Sequence, residues 1–563
     1  MHNLIPYPFK NTCRVATRLL LITLLVAPIY NSAQAQTLSK AQMWQLLDYS
    51  RDSVYGTSVN RAYDELLKGK KSHPVIVAVI DEGVDITHED LQGHIWTNPK
   101  EIPNNQIDDD KNGYVDDVHG WNFLGGKDGR NIYANSSEAD REYARLLPEF
   151  VGKDSVQAAK MKDYAYFTSV KKEHIKDSVG RKEDFTPQIM ALVNMLSKTD
   201  SLVKKQSGKP ATYKNDLAAF KPKDSAEIKM KNNVMSFYMG GPFKNSSASV
   251  DSIIRYALAV VAGQKADMAL YTKLNPNDPL ALRRDIVKDN YSDINDRYYG
   301  NSEVGDKYAD HGTHCACIIT ADRNNAIGMK GIADNVLILP VRAVNTLHYG
   351  DEMDKDIALA IRYAVDNGAR IISMSFGKDL SPQKKWVDEA IKYADKKGVL
   401  MVHCAGNDSK DVDTSAYFPS PVYLDGSGSA KNFINVGSIS RDTGLTLTSG
   451  FSNYGHKSVD LFAQGSMIYS CIPGNKYDFK SGTSMAAPEV AGVAALLLEY
   501  YPKLTATQVK DIILQSVTPL KGKMVYKPGT KEKVDFATLS VTGGVLNAYN
   551  ALQLAAKVSG AKE

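Results

Sequence analysis

The sequence predicts an α/β domain with a mainly parallel central sheet and a large, mostly helical insertion. Residues 74–80 form a continuous apolar run rich in β-branched side chains, which is typical of a strand buried on both faces. A second apolar run, 490–498, follows small and hydroxyl residues that favour the start of a buried helix. In the long stretch between these runs, apolar residues recur at helical spacing, which predicts helices there.

The start of the predicted C-terminal helix has the composition expected for a presented nucleophile. Residues 481–488 read Ser-Gly-Thr-Ser-Met-Ala-Ala-Pro. Gly482 allows a sharp turn, and Ser484 falls where free helical N–H groups and the helix dipole stabilise negative charge. An ordinary helix start has a similar composition, since serine is a common N-cap residue. This segment alone therefore leaves both interpretations open.

A serine nucleophile needs a base to accept its proton and an acid to hold that base, and both residue types occur upstream. Asp81 ends the first predicted strand, and the carboxyl ends of parallel strands are where open α/β sheets place their active sites. His311 lies in the motif Asp-His-Gly-Thr-His, directly before an apolar helix. The sequence therefore predicts that Asp81, His311 and Ser484 act together.

The motifs around these residues, and their order along the chain, resemble those of the subtilisin-like serine proteases, the subtilases. The resemblance implies that Asp81 is the acid, His311 the general base and Ser484 the nucleophile. It also implies that Asn407, which ends the motif His-Cys-Ala-Gly-Asn, donates its side-chain amide to the oxyanion. The activity that follows is hydrolysis of protein or peptide substrates through an acyl-enzyme intermediate, without a cofactor in the chemistry.

The same resemblance implies a three-layer fold and a set of substrate-binding residues. Ser375, Phe376 and Gly377 correspond to the strand that pairs with the substrate backbone, and with Ala405 and Gly406 they line the first specificity pocket. Two segments carry the resemblance and form the expected peptidase domain, 74–130 and 291–555, before a short tail at 556–563.

Two alternatives keep the fold but change the function. One is a catalytically inactive member that binds an envelope protein or peptide in its cleft or through its insertion. The other is a processing protease restricted to one partner, which uses the same chemistry. The intact set of motifs favours an active endopeptidase over the first alternative.

The insertion is expected at 131–290, because Asp81 and His311 stand 230 positions apart where compact subtilases need only a few dozen. Lysine and arginine outnumber acidic residues there. Three roles remain open for it: a lid or binding surface that shapes substrate access, a folding aid that replaces a propeptide, or a surface decoration. Residues 36–73 are predicted to form an N-terminal arm that wraps the domain rather than a long propeptide.

The N-terminus predicts a secretory signal peptide over 1–35. Three basic residues precede an apolar stretch at 19–29, and Ala33-Gln34-Ala35 fits a cleavage site after Ala35. The apolar stretch is too short for a membrane span, so a retained signal anchor is the weaker alternative. The protein is therefore expected to be periplasmic or secreted.

Composition agrees with an exported soluble domain. The net charge of +4 includes three positive charges of the predicted signal peptide, so nothing indicates a nucleic-acid partner. The oligomeric state is not predicted. Five cysteines are too few for a disulfide scaffold. Cys315 and Cys317 stand two positions apart on a predicted helix, so they face different directions and should not pair with each other. We expect buried cysteines that act as small apolar residues, with sensitivity to thiol reagents as the alternative.

An acidic loop at 105–117 has the pattern of a calcium site. Oxygen-bearing residues alternate before a glycine, as a hard cation requires, and the predicted ligands are Asp108, Asp110, Asn112 and Asp116. The acidic residue expected at the twelfth position of such a loop is replaced by His119. An acidic turn whose side chains bind their own backbone is the alternative.

Overall fold

The computed structural model describes residues 39–180, 184–239, 249–275, 277–346 and 350–560. The predicted signal peptide therefore lies outside the described residues. The strands are Val75–Asp81 (β1), Trp121–Asn122 (β2), Val336–Arg342 (β3), Ile371–Met374 (β4), Leu400–Cys404 (β5), Phe433–Ile439 (β6), Leu461–Gln464 (β7), Ile468–Ile472 (β8), Lys476–Lys480 (β9), Thr518–Pro519 (β10), Met524–Tyr526 (β11), Lys533–Asp535 (β12) and Gly544–Val545 (β13). The α-helices are Tyr49–Asp52 (α1), Val59–Ala62 (α2), Glu138–Phe150 (α3), Ser155–Ala159 (α4), Tyr164–Gly180 (α5), Thr186–Ser207 (α6), Lys214–Ala219 (α7), Ser225–Met239 (α8), Val250–Tyr271 (α9), Ala281–Ile286 (α10), Asp310–Thr320 (α11), Asp354–Asp366 (α12), Lys384–Lys397 (α13), Thr483–Tyr500 (α14), Ala506–Gln515 (α15) and Ala548–Val558 (α16).

The central sheet has the strand order β10-β13-β7-β6-β5-β4-β1-β3-β2. Every pairing in it is parallel except that of β10 with β13 at one edge. Strand β1 lies between β3 and β4, and Asp81 is level with Arg342 of β3. The predicted α/β class with a mainly parallel sheet is therefore confirmed.

Both faces of the sheet are covered, which explains the continuous apolar character of β1. Val77 and Val79 belong to a core that contains residues of α11 and α14. Ala78 and Ile80 point the other way, into a second core with residues of α12 and α13. Alternate residues of one strand thus supply two cores, and the result is a helix–sheet–helix arrangement in three layers.

The region between 131 and 290 folds as helices around two small cores of its own. Helices α3, α4 and α5 share one cluster, which includes Leu146, Phe150 and Phe167. Helices α6 to α9 share another, which includes Leu196 and Phe220. Helices lie where the sequence showed apolar residues at helical spacing.

Buried ion pairs join both ends of this region to the sheet domain. At its start, the Lys378 ammonium lies 2.6 Å from the Glu138 carboxylate of α3 and 2.9 Å from the Asp354 carboxylate of α12. Arg141 binds the same Glu138 carboxylate at 2.8 Å. At its end, Arg283 of α10 binds Asp356 of α12 at 2.7 Å. Since Lys378 directly follows Gly377, helix α3 is bound next to the predicted substrate strand.

Residues 39–73 lie along the sheet domain and contribute to its core. Trp44, Leu46 and Val59 are buried in the same core as α14. The Trp44 indole donates to the Met467 carbonyl at 3.2 Å, and the Ala548 amide donates to the Thr57 carbonyl at 2.7 Å. Among the described helices, none is both long enough and apolar enough to cross a membrane.

The cysteines differ in part from the expectation. Cys317 of α11 forms a disulfide with Cys471 of β8, which corrects the expectation that these two act only as small apolar residues. Spacing along the sequence could not reveal this pair, because the two residues are 154 positions apart. Cys315 and Cys404 are free and buried, and Cys315 does not pair with Cys317.

The ion pairs of Glu138 give a prediction about stability. Glu138→Gln removes the charge shared by Lys378 and Arg141, which are both buried, so we expect the free energy of unfolding at pH 7 to fall by about 3 kcal/mol. The matched control on the same helix is Arg145→Gln, because the Arg145 side chain is 55% exposed where it pairs with Glu142. It should change stability by less than about 1 kcal/mol. Equal effects of the two variants in chemical denaturation would contradict this account.

Candidate active site

The predicted catalytic residues meet where the carboxyl ends of three central strands face the start of α14. Asp81 ends β1, Ser375 follows β4, and Asn407 lies just beyond β5. Ser484 is the second residue of α14. Because the strands are parallel and adjacent, residues far apart in sequence reach the same edge of the sheet.

Asp81 and His311 form a close pair. The His311 Nδ1 atom lies 2.9 Å from Asp81 Oδ1 and 3.0 Å from Oδ2. A carboxylate can only accept, so Nδ1 carries the proton and Nε2 of neutral His311 is left as an acceptor. Burial disfavours the charged imidazole, but the Asp81 carboxylate outweighs it and holds the pKa of His311 well above its usual value.

Glu82 fixes the backbone at the start of α11. Its carboxylate accepts the His311 backbone N–H at 2.6 Å, and the residue is 8% exposed. Burial raises the pKa of Glu82 to about 7, and the neighbouring Asp81 carboxylate acts in the same direction against the attraction of His311. Both protonation states retain an oxygen that can accept the N–H, so the contact persists across neutral pH.

Ser484 is tied to the segment after β4 by a reciprocal pair of hydrogen bonds. The Ser484 hydroxyl donates to the Ser375 carbonyl at 3.1 Å, and the Ser375 hydroxyl donates to the Ser484 carbonyl at 2.8 Å. The Cys315 thiol lies 3.4 Å from the Ser484 carbonyl oxygen and 4.0 Å from His311 Nδ1. His311 and Ser484 are therefore both in contact with the same small side chain.

Asn407 is oriented by the residue that precedes Ser484. Its Oδ1 accepts the Thr483 backbone N–H at 2.8 Å and the Thr483 hydroxyl at 3.0 Å, so Nδ2 is the donor end of the oriented amide. A Cβ on Gly482 would lie 3.6 Å from both Asn407 Nδ2 and the Ser484 Cβ, so these groups border one small space. Sequence reasoning missed Thr483; its place between Gly482 and Ser484 was the available signal.

The predicted substrate residues 375–377 follow β4, and Ala405 and Gly406 follow the adjacent parallel strand β5. The Phe376 carbonyl accepts from His403 Nε2 at 2.8 Å, and burial lowers the pKa of His403 to about 4, so this imidazole is neutral. The Gly406 amide donates to the Thr483 hydroxyl at 3.1 Å. His403 was not identified from the sequence as a supporting residue. Its hydrogen bond ties the end of β5 to the segment that follows β4.

The profile described as the subtilase family matches residues 72–533, which is most of the chain. The chain belongs to the subtilase family. The resemblance given by the sequence motifs is thus confirmed.

Individual relatives agree with this assignment. The thermophilic serine proteinase of Bacillus sp. (strain AK1) is 42% identical over 216 residues, which cover 38% of this subtilase and 49% of the relative. Thermitase of Thermoactinomyces vulgaris is 36% identical over 216 residues, or 38% of this chain and 70% of thermitase. Subtilisin DY of Bacillus licheniformis is 34% identical over 223 residues, or 39% of this chain and 74% of that protein. This subtilase thus spans about half the length of the first relative.

The acidic loop of this subtilase uses its predicted ligands in different ways. Asp108 accepts the backbone N–H groups of Asn112 and Gly113, and Asp116 accepts those of Asn105 and Gln106. These two carboxylates therefore bind the backbone of their own loop, as the alternative interpretation expected. The Asn112 side chain donates to Asp117 at 3.1 Å.

Asp110 also accepts the Asn112 backbone N–H, at 3.1 Å, and it belongs to a carboxylate cluster that sequence reasoning only partly found. Oxygen atoms of Glu101, Asp110 and Asp117 all lie within 4.8 Å of one another. Among the described residues, Glu101 Oε2 is buried and has no hydrogen-bond partner. Burial raises the pKa of Asp117 to about 6. The chemistry of this donor set fits a hard cation such as calcium.

Proposed function

We propose that this subtilase is a serine endopeptidase that cleaves protein or peptide substrates through an acyl-enzyme intermediate. The observation that supports it most is the Asp81–His311 pair placed beside the Ser484 helix start, next to the oriented amide of Asn407. We further propose that residues 1–35 direct export to the periplasm or the medium. An exported protein whose N-terminal residue is not Gln36 would contradict the predicted cleavage site.

In the proposed reaction, the Ser484 hydroxyl turns from the Ser375 carbonyl toward His311 Nε2. His311 takes the hydroxyl proton while Ser484 Oγ attacks the peptide carbonyl carbon, and Asp81 stabilises the imidazolium that forms. The oxyanion accepts from Asn407 Nδ2 and from the Ser484 backbone N–H at the start of α14. His311 then donates its proton to the leaving amine. In the second half of the reaction, His311 takes a proton from the water that attacks the acyl-enzyme, and it returns this proton to Ser484 Oγ as the acyl bond breaks.

Preorganisation accounts for the stabilisation of charge in this scheme. Asn407 cannot rotate freely, because Thr483 holds its Oδ1 with two hydrogen bonds. The donor end therefore already faces the space beside Ser484 before a substrate arrives. Removing one oxyanion donor of this type from a protease lowers kcat by a factor of about 10²–10³. The rigid placement of Asn407 should therefore account for a large part of the rate enhancement.

The nucleophile is tested by labelling with a fluorophosphonate probe. We expect the protein without residues 1–35 to be labelled and to hydrolyse peptides, and Ser484→Ala to lose both while its melting temperature stays within a few degrees. The matched control is Ser481→Ala, an exposed serine three residues earlier. It should remain labelled. Labelling of Ser484→Ala, or a folded parent that is not labelled, would overturn the proposal.

The pH dependence follows from the Asp81–His311 pair. The base must be neutral to act, and Asp81 raises the pKa of His311, so kcat/KM should rise with pH through a midpoint above 6.5. Asp81→Asn removes the negative charge, so the midpoint should move to lower pH and kcat should fall by about 10³–10⁴. An unchanged midpoint in the variant would show that Asp81 does not set the pKa of the base.

We propose a second, structural role for the carboxylate cluster, which is to bind one calcium ion through Glu101, Asp110 and Asp117. Asn98 donates to the Asp117 carboxylate at 2.9 Å and to Asp110 at 3.3 Å, which orients both. The buried and unpartnered Glu101 Oε2 is the group that a cation would satisfy. The ion would join the loop to residue 101 and would take no part in the chemistry.

Chelation tests this site. Calcium should raise the melting temperature of the protein by several degrees over a chelated sample, because the ion binds the folded state only. Asp117→Asn should remove most of this difference, whereas Glu303→Gln, which alters an exposed carboxylate outside the loop, should keep it. Identical melting temperatures of the parent with calcium and with chelator would refute calcium binding.

A further inference from the structure

The gap between Gly377 and Gly406 is filled by a side chain of the protein itself, that of Tyr417. A Cβ added to Gly377 would lie 2.5 Å from Tyr417 Cζ and 2.6 Å from its hydroxyl oxygen. A Cβ added to Gly406 would lie 2.8 Å from the same Cζ and 2.9 Å from Cε2. One aromatic ring thus contacts both glycines on the sides where their side chains would project.

The backbone that carries Tyr417 is paired with the predicted substrate strand. The Lys378 amide donates to the Phe418 carbonyl at 3.0 Å, and the Phe418 amide donates to the Lys378 carbonyl at 2.9 Å. Lys378 is itself held by Glu138 and Asp354. Tyr417 therefore projects into the gap from a segment that is hydrogen-bonded directly beside Gly377.

The hydroxyl end of the ring is its buried end, while Tyr417 as a whole is partly exposed. Burial of the Tyr417 hydroxyl raises its pKa well above the usual value, and the thiol of Cys404 lies beside it. The His403 ring lies behind, with its centroid 5.7 Å from that of Tyr417. The phenol is neutral at ordinary pH, and the ring occupies the volume that a bound side chain would need.

We propose that Tyr417 is a specificity-determining residue that closes the first specificity pocket, so that this subtilase cuts after small side chains such as glycine, alanine and serine. The inference rests on the proposed protease function, in which residues 375–377 and 405–406 flank the side chain that precedes the cut. Protein interiors have no room for a second aromatic ring in a gap that already holds one. A large side chain can bind only if Tyr417 leaves, and leaving breaks its contacts with both glycines.

The substitution Tyr417→Ala should open the pocket. Two peptides that differ only in the residue before the cut, alanine or phenylalanine, measure the preference as a ratio of kcat/KM values. We expect the parent to favour the alanine peptide by at least about 10-fold. Tyr417→Ala should move this ratio toward phenylalanine by at least about 10-fold, because the ring volume becomes available.

Tyr417→Phe is the matched control, because it keeps the ring and removes only the hydroxyl. It should keep the preference for alanine. The parent alone already tests the inference if Tyr417→Ala does not fold: a parent that cleaves the phenylalanine peptide as fast as the alanine peptide refutes a closed pocket. An unchanged ratio in folded Tyr417→Ala refutes it equally.

Failure of the proposed function gives a different result. If the folded parent hydrolyses neither peptide and is not labelled by the fluorophosphonate probe, the protease proposal fails and the pocket inference fails with it. If the parent is labelled and cleaves peptides but prefers phenylalanine, the protease proposal stands and only the inference about Tyr417 is wrong.

Discussion

The packing of helix α14 against the carboxyl ends of β4 and β5 is the constraint on which the candidate site depends. Residues 483–499 of this helix are all buried, so its first turn cannot shift without disturbing the core. Two sets of hydrogen bonds fix that turn: Ser484 with Ser375 beyond β4, and Thr483 with Asn407 beyond β5. Ser484 and Asn407, the proposed nucleophile and oxyanion donor, are therefore positioned by one helix end between two neighbouring strands.

The insertion is linked to this arrangement through charge. Lys378 is buried between Glu138 of helix α3 and Asp354 of helix α12, and it adjoins both Gly377 and the segment that carries Tyr417. A displacement of α3 would leave a buried ammonium with one partner fewer, which is unfavourable. Of the three roles open for residues 131–290, the position of this ion pair favours a role in shaping the proposed substrate site.

The sequence was informative about structural features that a single short segment determines. The β-branched run of β1 predicted a strand buried on both faces, and Asp81, His311 and Ser484 each stand at an element end that the local pattern reveals. Thr483 stands between Gly482 and Ser484, which was a local signal, but its hydrogen bonds to Asn407 join residues distant in the chain. The contacts of His403 and Tyr417 are also long-range, and local patterns do not show them. The Cys317–Cys471 disulfide likewise joins two residues that are distant in the chain. In the acidic loop, alternation found Asp110 but could not show that its carboxylate lies beside those of Glu101 and Asp117.

The most direct test of the account is a crystal structure of the protein modified at Ser484 by a peptidyl phosphonate, which mimics the tetrahedral intermediate. The account predicts a phosphonyl oxygen within about 3 Å of both Asn407 Nδ2 and the Ser484 backbone nitrogen. It also predicts that Ser484 Oγ has left the Ser375 carbonyl and that Thr483 still holds Asn407 Oδ1. A phosphonyl oxygen directed away from Asn407, with this amide unchanged, would contradict the assignment of the oxyanion site and of the helix end that builds it.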